Sequence, residues 1–215
     1  MDIKHIGIIP DGNRRWAQKN DLDLVEAYNK FFKKICDIIE HLRKKNIDMV
    51  SFYIISLENF QREERDINSM LQALDLALGD VLLNLVENED VKINCVGNID
   101  LLSETTKKKI EYIESLSKGK VEIVVNLLIA YNPFDEINCI IAGHNKIGIE
   151  NLVISKKVDL IIRSAGNPVR LSNFLPLQSG YAAIHVLDDF FLDIKNDVLN
   201  KIIHQHAGVD MKYGK

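Results

Sequence analysis

The stretch His5-Ile6-Gly7-Ile8-Ile9-Pro10-Asp11-Gly12-Asn13-Arg14-Arg15-Trp16 joins two kinds of chemistry. Its first half is apolar on both faces, as a central parallel strand covered by helices must be. Its second half packs an acid, a glycine, an amide and two guanidiniums directly behind that strand. Five more short β-branched runs follow, at residues 50–56, 91–97, 121–129, 158–164 and 182–187. Helical spacing fills the intervals. Leu24, Ala27, Tyr28, Phe31, Ile35, Ile38, Ile39 and Leu42 form one apolar stripe. Ile67, Met70, Leu71, Leu74, Leu78, Val81, Leu82 and Leu85 form another, read as one continuous helix. A third helix is expected over 103–117, a fourth from Pro133 and a last one after Asp193. Strands alternating with helices predict a single α/β domain over residues 1–215, with right-handed crossovers and a mainly parallel sheet. Ligands of such sheets bind beyond the carboxyl ends of the strands.

Composition removes several classes of function. The 215 residues carry 27 basic and 31 acidic side chains, a formal charge of −4, with 47% hydrophobic residues. That is an ordinary globular balance, able to build a core without disulfide or metal staples. A mildly acidic chain lacks the basic face that nucleic-acid binding needs. No run approaches a membrane span, so no stable membrane insertion is expected. Cys36, Cys95 and Cys139 are odd in number and set in apolar segments. They fit buried thiols of a cytoplasmic protein better than a disulfide framework or a zinc site.

Three strand ends carry the chemistry. Behind the first, Gly12 permits a left-handed turn, and the amides it frees, with the following helix start, suit an anion. Arg14 and Arg15 offer forks for phosphate oxygens. Asp11 has the hard oxygen that magnesium prefers, magnesium being held by one or two carboxylates plus substrate phosphates. The second strand ends in Ser56-Leu57-Glu58-Asn59-Phe60-Gln61-Arg62, and the fifth in Arg163-Ser164, followed by Arg170-Leu171-Ser172-Asn173-Phe174. An isolated Asp-Gly-Asn is more often a simple turn. Five arginines on one rim of an acidic protein point instead to a polyanionic small molecule, with diphosphate the best match. Phe31 and Phe32 side by side, with the leucine-rich stretch from Met70 to Leu85, read as helix-to-sheet core or as the wall of an apolar pocket beside that rim.

In order and spacing these segments resemble the signatures of the cis-prenyltransferases, the undecaprenyl diphosphate synthase family, from the first strand to Tyr213-Gly214. The resemblance implies a homodimer of α/β subunits around a six-stranded sheet, isoprenoid diphosphate substrates, magnesium and a hydrophobic tunnel. Residue by residue, it makes Asp11 the magnesium and diphosphate aspartate. Gly12, Asn13 and Arg15 become the loop around the allylic diphosphate, with Arg14 beside them. Asp11, Asn13 and Arg15 are thus the implied catalytic group. Trp16 and Phe60 are implied around the prenyl pocket, with Ser56, Asn59 and Arg62 near the reacting groups. Arg163, Arg170 and Ser172 are implied to hold a second, homoallylic diphosphate.

The departures from the family pattern carry information too. Leu24 and Ala27-Tyr28 stand where the family has an arginine and a Gly-His pair. Asn132-Pro133-Phe134 replaces a Gly-Gly-Arg after Tyr131, and the loop between Arg163 and Arg170 has one extra residue within Ala165-Gly166-Asn167-Pro168-Val169. Ala183 replaces the glutamate that completes the magnesium site. The motif around Arg15, Tyr28, and Leu175-Pro176-Leu177 are similar to lavandulyl and cyclolavandulyl diphosphate synthases, which join two dimethylallyl diphosphates in a branched fashion. Three readings follow: irregular coupling of that kind, regular cis-elongation with isopentenyl diphosphate, and a non-catalytic partner subunit. His5, His41, His144, His185, His204 and His206 lie outside the matched motifs and read as structural or surface groups.

Overall fold

Strand β1 (His5–Ile9) is buried along its whole length and lies between two neighbours of very different sequence distance. The computed structural model describes residues 2–143, 149–166 and 170–208. Its remaining strands are β2 (Met49–Ser56), β3 (Val91–Val96), β4 (Ile123–Tyr131), β5 (Leu160–Arg163) and β6 (Ala183–Val186). They form one sheet in the order β3-β4-β2-β1-β5-β6, and every pairing is parallel. Each apolar run read from the sequence is one of these strands. The chain first builds outward from β1 through β2, then returns to place β5 on its other side. The crevice between β1 and β5 is therefore the topological switch point, where open α/β sheets bind ligands. The register Ile9↔Arg163 sets the two carboxyl ends level.

Seven helices are described: α1 (Asn13–Lys19), α2 (Leu24–Arg43), α3 (Glu64–Gly79), α4 (Val81–Asn88), α5 (Glu104–Leu116), α6 (Pro133–Gly143) and α7 (Asn196–His206). Helix α2 starts where the Asp23 carboxylate accepts the Glu26 N–H at 2.8 Å, a side-chain N-cap. Phe31 and Phe32 are both fully buried. Phe31 packs against Tyr28 and Phe32 of its own helix and against Phe191 beyond it. The core reading of these two rings is the one the structure supports.

The continuous helix expected from Ile67 to Leu85 is interrupted. Asp80 leaves helical geometry (φ −133°, ψ −95°) and separates α3 from α4. Gly79-Asp80 joins two weak helix formers, and the break re-aims the leucines of α4 at the core. Within Glu64–Asn88 an 18-residue window reaches a mean hydropathy of 1.4, long and apolar enough by composition to cross a membrane. It departs from the expectation that no run approaches a span. Its apolar side chains Ala73, Leu74, Ala77, Leu78, Leu82, Leu85 and Val86 nevertheless lie buried in the main core.

Residues Asn167–Val169, His144 and Tyr213-Gly214 lie outside the described residues, as does the Cys139 side chain. Cys36 and Cys95 are free. Burial pushes the Cys36 thiol up to about 12, so it stays protonated and unreactive.

A row of polar side chains crosses the sheet through its buried interior. Asn94 Nδ2 donates to Asn126 Oδ1 at 3.0 Å, and Asn126 Nδ2 donates to Ser51 Oγ at 3.0 Å. Ser51 Oγ lies 2.8 Å from His5 Nε2, while His5 Nδ1 lies 3.1 Å from the Lys157 carbonyl. The row is self-consistent for a neutral imidazole with its proton on Nδ1, because Nε2 then accepts from the hydroxyl. Burial holds the His5 pKa down at about 4, against an ordinary 6.5. Between those two values the unfolded chain takes up a proton that the folded chain refuses, so stability falls as the pH drops through that window. The full effect is about 3 kcal/mol. Denaturant unfolding at a series of pH values from 7 to 4 will show a steeper loss for the native chain than for His5→Gln.

Candidate active site

A cleft of about 520 Å³ opens at the carboxyl ends of β1, β2 and β5. Its centre is Asp11, the residue two beyond β1. Asp11 Oδ2 accepts from Arg163 Nη2 at 3.0 Å, and Oδ1 accepts the Gly12 N–H at 2.6 Å. Arg15, one helical turn on, stands 3.6 Å from the same carboxylate. Arg163 is nearly sunk in the protein, its side chain 11% exposed. Its Nη1 donates to Ser172 Oγ at 3.1 Å and also to the Arg170 carbonyl. Planar, multi-donor guanidinium suits this fixed role better than an ammonium would. Ser164 Oγ donates to the Asp11 carbonyl at 2.9 Å, a second tie between the two strand ends.

The backbone of this corner is tightly shaped. Gly12 has φ +93°, and a Cβ there would sit 2.5 Å from the Phe190 ring and 2.7 Å from Ala165 Cβ. Ala165, Ser172, Asn173 and Leu175 all take left-handed φ values. Such backbone persists only when surroundings over-determine it. The Arg163–Ser172 bond does so here, together with the Asn173 amide donating to Glu58 at 2.9 Å. Gly7 admits the Phe174 ring against β1, since its Cβ would meet that ring at 2.5 Å.

Of the residues singled out in the sequence, Asp11, Gly12, Asn13, Arg14, Arg15, Ser56, Asn59, Arg62, Arg163 and Ser172 all line this cleft. Four guanidiniums thus face one carboxylate. Arg14 is partly neutralised, because it pairs with Asp66 of α3. Arg15 lies over the Phe190 ring, 5.6 Å from its centroid. Asn13 donates to the Pro10 carbonyl at 3.1 Å, while its Oδ1 is buried without a partner. Asn59 accepts the Ser56 N–H at 3.3 Å and so shapes the turn after β2.

Three expected residues lie elsewhere. Trp16 donates from Nε1 to Asp193 at 2.8 Å and is absent from the cleft lining. Phe60 packs against the main core. Arg170 gives its carbonyl to Arg163, and its side chain is exposed. In each case a tertiary partner, invisible in the local sequence, sets the direction. Conversely, Ile9, Gln18, Tyr28, Tyr53, Ile54 and Met70 line the cleft and were not singled out as site residues. Tyr53 and Ile54 precede Ser56 at a strand's carboxyl end, so the strand-end rule held the signal for them. Tyr28 stands where the resembled family has histidine.

The apolar walls fall on both faces of the sheet. Tyr28, Ile54 and Met70 belong to the main core, whereas Ile9 and Tyr53 belong to a second cluster with Tyr131, Phe174 and Leu175. A cleft that straddles the sheet's edge in this way has room for two apolar groups around one cationic centre.

The donors for a divalent ion are sparse. Among the described residues, Asp11 is the one carboxylate lining the cleft and no cluster of three His, Cys, Asp or Glu residues exists. Ala183 pairs with Leu160 at the start of β5, whereas Arg163 pairs with Val186. Position 183 is therefore three residues below the rim, and a carboxylate there would not reach Asp11 within this chain. Asp188 and Asp189 follow the rim end of β6, and the Asp189 carbonyl accepts the Ala165 N–H at 2.7 Å.

The prenyltransferase family described as undecaprenyl diphosphate synthase matches residues 9–214. An isoprenyl transferase of Rickettsia typhi is 31% identical over 99% of this chain and 98% of its own length. Another, from Campylobacter jejuni, is 30% identical over 100% and 99%. Among solved structures, a probable undecaprenyl diphosphate synthase from Campylobacter jejuni superposes with a TM-score of 0.84 at 27% identity, covering 100% of both chains. Lavandulyl diphosphate synthase from Lavandula x intermedia, in complex with dimethylallyl diphosphate, superposes with a TM-score of 0.89 at 21% identity, covering 100% of this chain and 99% of that one. The latter likeness is one of fold. With its strand-end arginines gathered around Asp11 and the family match spanning nearly its whole length, the chain belongs to the undecaprenyl diphosphate synthase family of prenyltransferases.

Proposed function

We propose that the chain condenses two short isoprenoid diphosphates, with dimethylallyl diphosphate as the allylic donor and lavandulyl-type branched coupling as the outcome. The observation that carries this reading is the cleft itself: one cationic centre flanked by an apolar wall on each face of the sheet. Arg15 and Arg62 would bind the donor diphosphate and stabilise the charge that accumulates on it as the allylic carbon–oxygen bond breaks. Asn13 Oδ1, a buried acceptor without a partner, would accept from a water carried in with the diphosphate or its ion. Arg163 and Ser172 would hold the second diphosphate, so its double bond meets the allylic cation without a bimolecular search. Proton loss then ends the coupling. Among the described residues no histidine lines the cleft, and released diphosphate can itself take the proton.

A short donor suits the floor. Tyr28, Ile54 and Met70 close the cleft and are 3%, 5% and 8% exposed, with Phe31, Leu74 and Leu78 buried in the same core. The second reading is regular cis-elongation with isopentenyl diphosphate, favoured by the relatives named isoprenyl transferase. The non-catalytic reading yields to the family match. A homodimer is the proposed state, supported by exposed Phe134, Ile141, Val153, Leu177 and Ile184 on α6, the segment after it, the loop before β6 and edge strand β6 itself. The free thiols agree with a cytoplasmic setting.

Magnesium fits as an ion carried with the substrate: Asp11 would hold it through its carboxylate, together with diphosphate oxygens and water. When bound it would neutralise charge on the departing diphosphate.

Incubation of the purified chain with dimethylallyl diphosphate alone will give a ten-carbon diphosphate, read by mass spectrometry. Product only on adding isopentenyl diphosphate selects regular elongation instead. Asp11→Ala will lower kcat at least about a hundredfold with native secondary structure by circular dichroism but a lowered Tm, because Arg163 loses its counter-charge, and an unchanged rate overturns the site. In titration calorimetry, magnesium will bind weakly alone and tightly when inorganic pyrophosphate is present.

A further inference from the structure

The search for chemistry not yet used leads back to the cleft wall, to one hydroxyl. Tyr53 projects from β2 on the sheet face opposite Phe52 and Ile54. Its ring is held between two others. Tyr131 meets it edge-on at 6.3 Å, and Phe174 lies 5.6 Å away at 50°. Such packing leaves the phenol little rotational freedom. Phe174 is only two residues from Ser172, and Ser172 fixes the Arg163 guanidinium. Tyr53 therefore stands in the wall beneath the Arg163–Ser172 corner, across the sheet from the Tyr28–Met70 floor.

Tyr53 is 8% exposed, and its hydroxyl is buried with no hydrogen-bond partner. Leaving a buried hydroxyl unpaired costs about 1–3 kcal/mol, and folded proteins rarely keep one without a use. The neighbouring polar groups do not relieve it. The Tyr131 hydroxyl is committed to Glu136 at 2.8 Å. Ser56 is close enough to act on the phenol but not in hydrogen-bonding geometry. Burial, then the charge of Glu58, raises the phenol's pKa further above its ordinary value. Tyr53 thus keeps its proton at any physiological pH and has it free to give. It also lines the same cleft as Arg163 and Ser172.

We infer that Tyr53 donates a hydrogen bond to the diphosphate of the second, acceptor substrate. This rests on the two-substrate reading above and adds a neutral, rigid donor to the charged clamp. An O–H to a phosphate oxygen is charge-assisted and among the stronger hydrogen bonds available. Because the hydroxyl has no partner in the free protein, its bond energy is realised only on binding.

The test is Tyr53→Phe, which keeps the ring and removes only the oxygen. Isopentenyl diphosphate, a non-ionising isomer that carries the same diphosphate as the acceptor dimethylallyl diphosphate, is titrated as probe by calorimetry into the full chain preloaded with a non-ionisable thio analogue of dimethylallyl diphosphate. The expected Kd rises about tenfold or more, while affinity for the thio analogue is unchanged and the Tm is equal to or above that of the native chain. An unchanged Kd overturns the inference. So does a lowered Tm with both ligands weakened alike, since the hydroxyl would then be holding structure. Arg163→Ala in the same titration separates the two levels. If it weakens the probe and Tyr53→Phe does not, Tyr53 is excluded and the site reading stands. If Arg163→Ala binds the probe like the native chain, the site reading fails and takes Tyr53 with it.

Discussion

Asp11 and Arg163 sit 152 positions apart in the chain and 3.0 Å apart in space, because β1 and β5 are neighbours in the sheet. The two partners are unequal. The arginine side chain is 11% exposed and the aspartate 41%, so the base is the embedded member and the acid faces the cleft. An embedded guanidinium without a counter-charge is expensive, and removing one partner of such a pair costs more than the pair contributes. Ser172 and the Arg170 carbonyl share the load. Through them the β5 loop is drawn over the strand end, left-handed residues and all. Through Asp11 the turn into α1 is drawn to the same point, and Arg15 comes with it. Two loops, helix α1 and the switch point of the sheet are thus organised around one charge pair.

That arrangement divides the cationic groups by function. Arg163 is fixed, already satisfied by three partners on two of its nitrogens, and serves as a preformed wall. Arg15 and Arg62 lie in the exposed part of the cleft and remain able to move onto an anion. Preformed and mobile donors together suit a pair of diphosphates of which one must stay and one must leave. The fixed guanidinium holds; the mobile ones follow charge as it develops.

Much of this was legible in the residues. The six strands follow from β-branched runs bounded by polar turns, and their parallel arrangement follows from the helices between them. Asp11, Gly12 and Arg15 were legible because chemistry was crowded behind a strand. The rest depended on distance. Trp16 turns to Asp193, 177 residues away, and no local pattern announces that partner. Phe60 has the same aromatic character whether it lines a pocket or a core. Gly79-Asp80 sits inside an unbroken apolar stripe, and periodicity alone does not register a two-residue break. The floor formed by Tyr28, Ile54 and Met70 is spread over two helices and a strand, so only packing reveals it.

The protein treats buried polar atoms in two opposed ways. Along the middle of the sheet, Asn94, Asn126, Ser51 and His5 are linked donor to acceptor, and all four lie away from the cleft. Among the described residues, Asn13 Oδ1, Arg163 Nε and Tyr53 Oη are buried without a partner at the cleft, as Arg43 Nε, Gln178 Oε1 and Ser179 Oγ are away from it. Each unpaired group at the cleft lowers the stability of the free protein by an amount that a bound polyanion, or its hydrated ion, can return. The fold can carry that cost because the main core, packed from Ile6 and Phe31 through Leu85 to Ile202, lies largely behind the site. Stability is built on one side of the strand ends and spent for binding at the other.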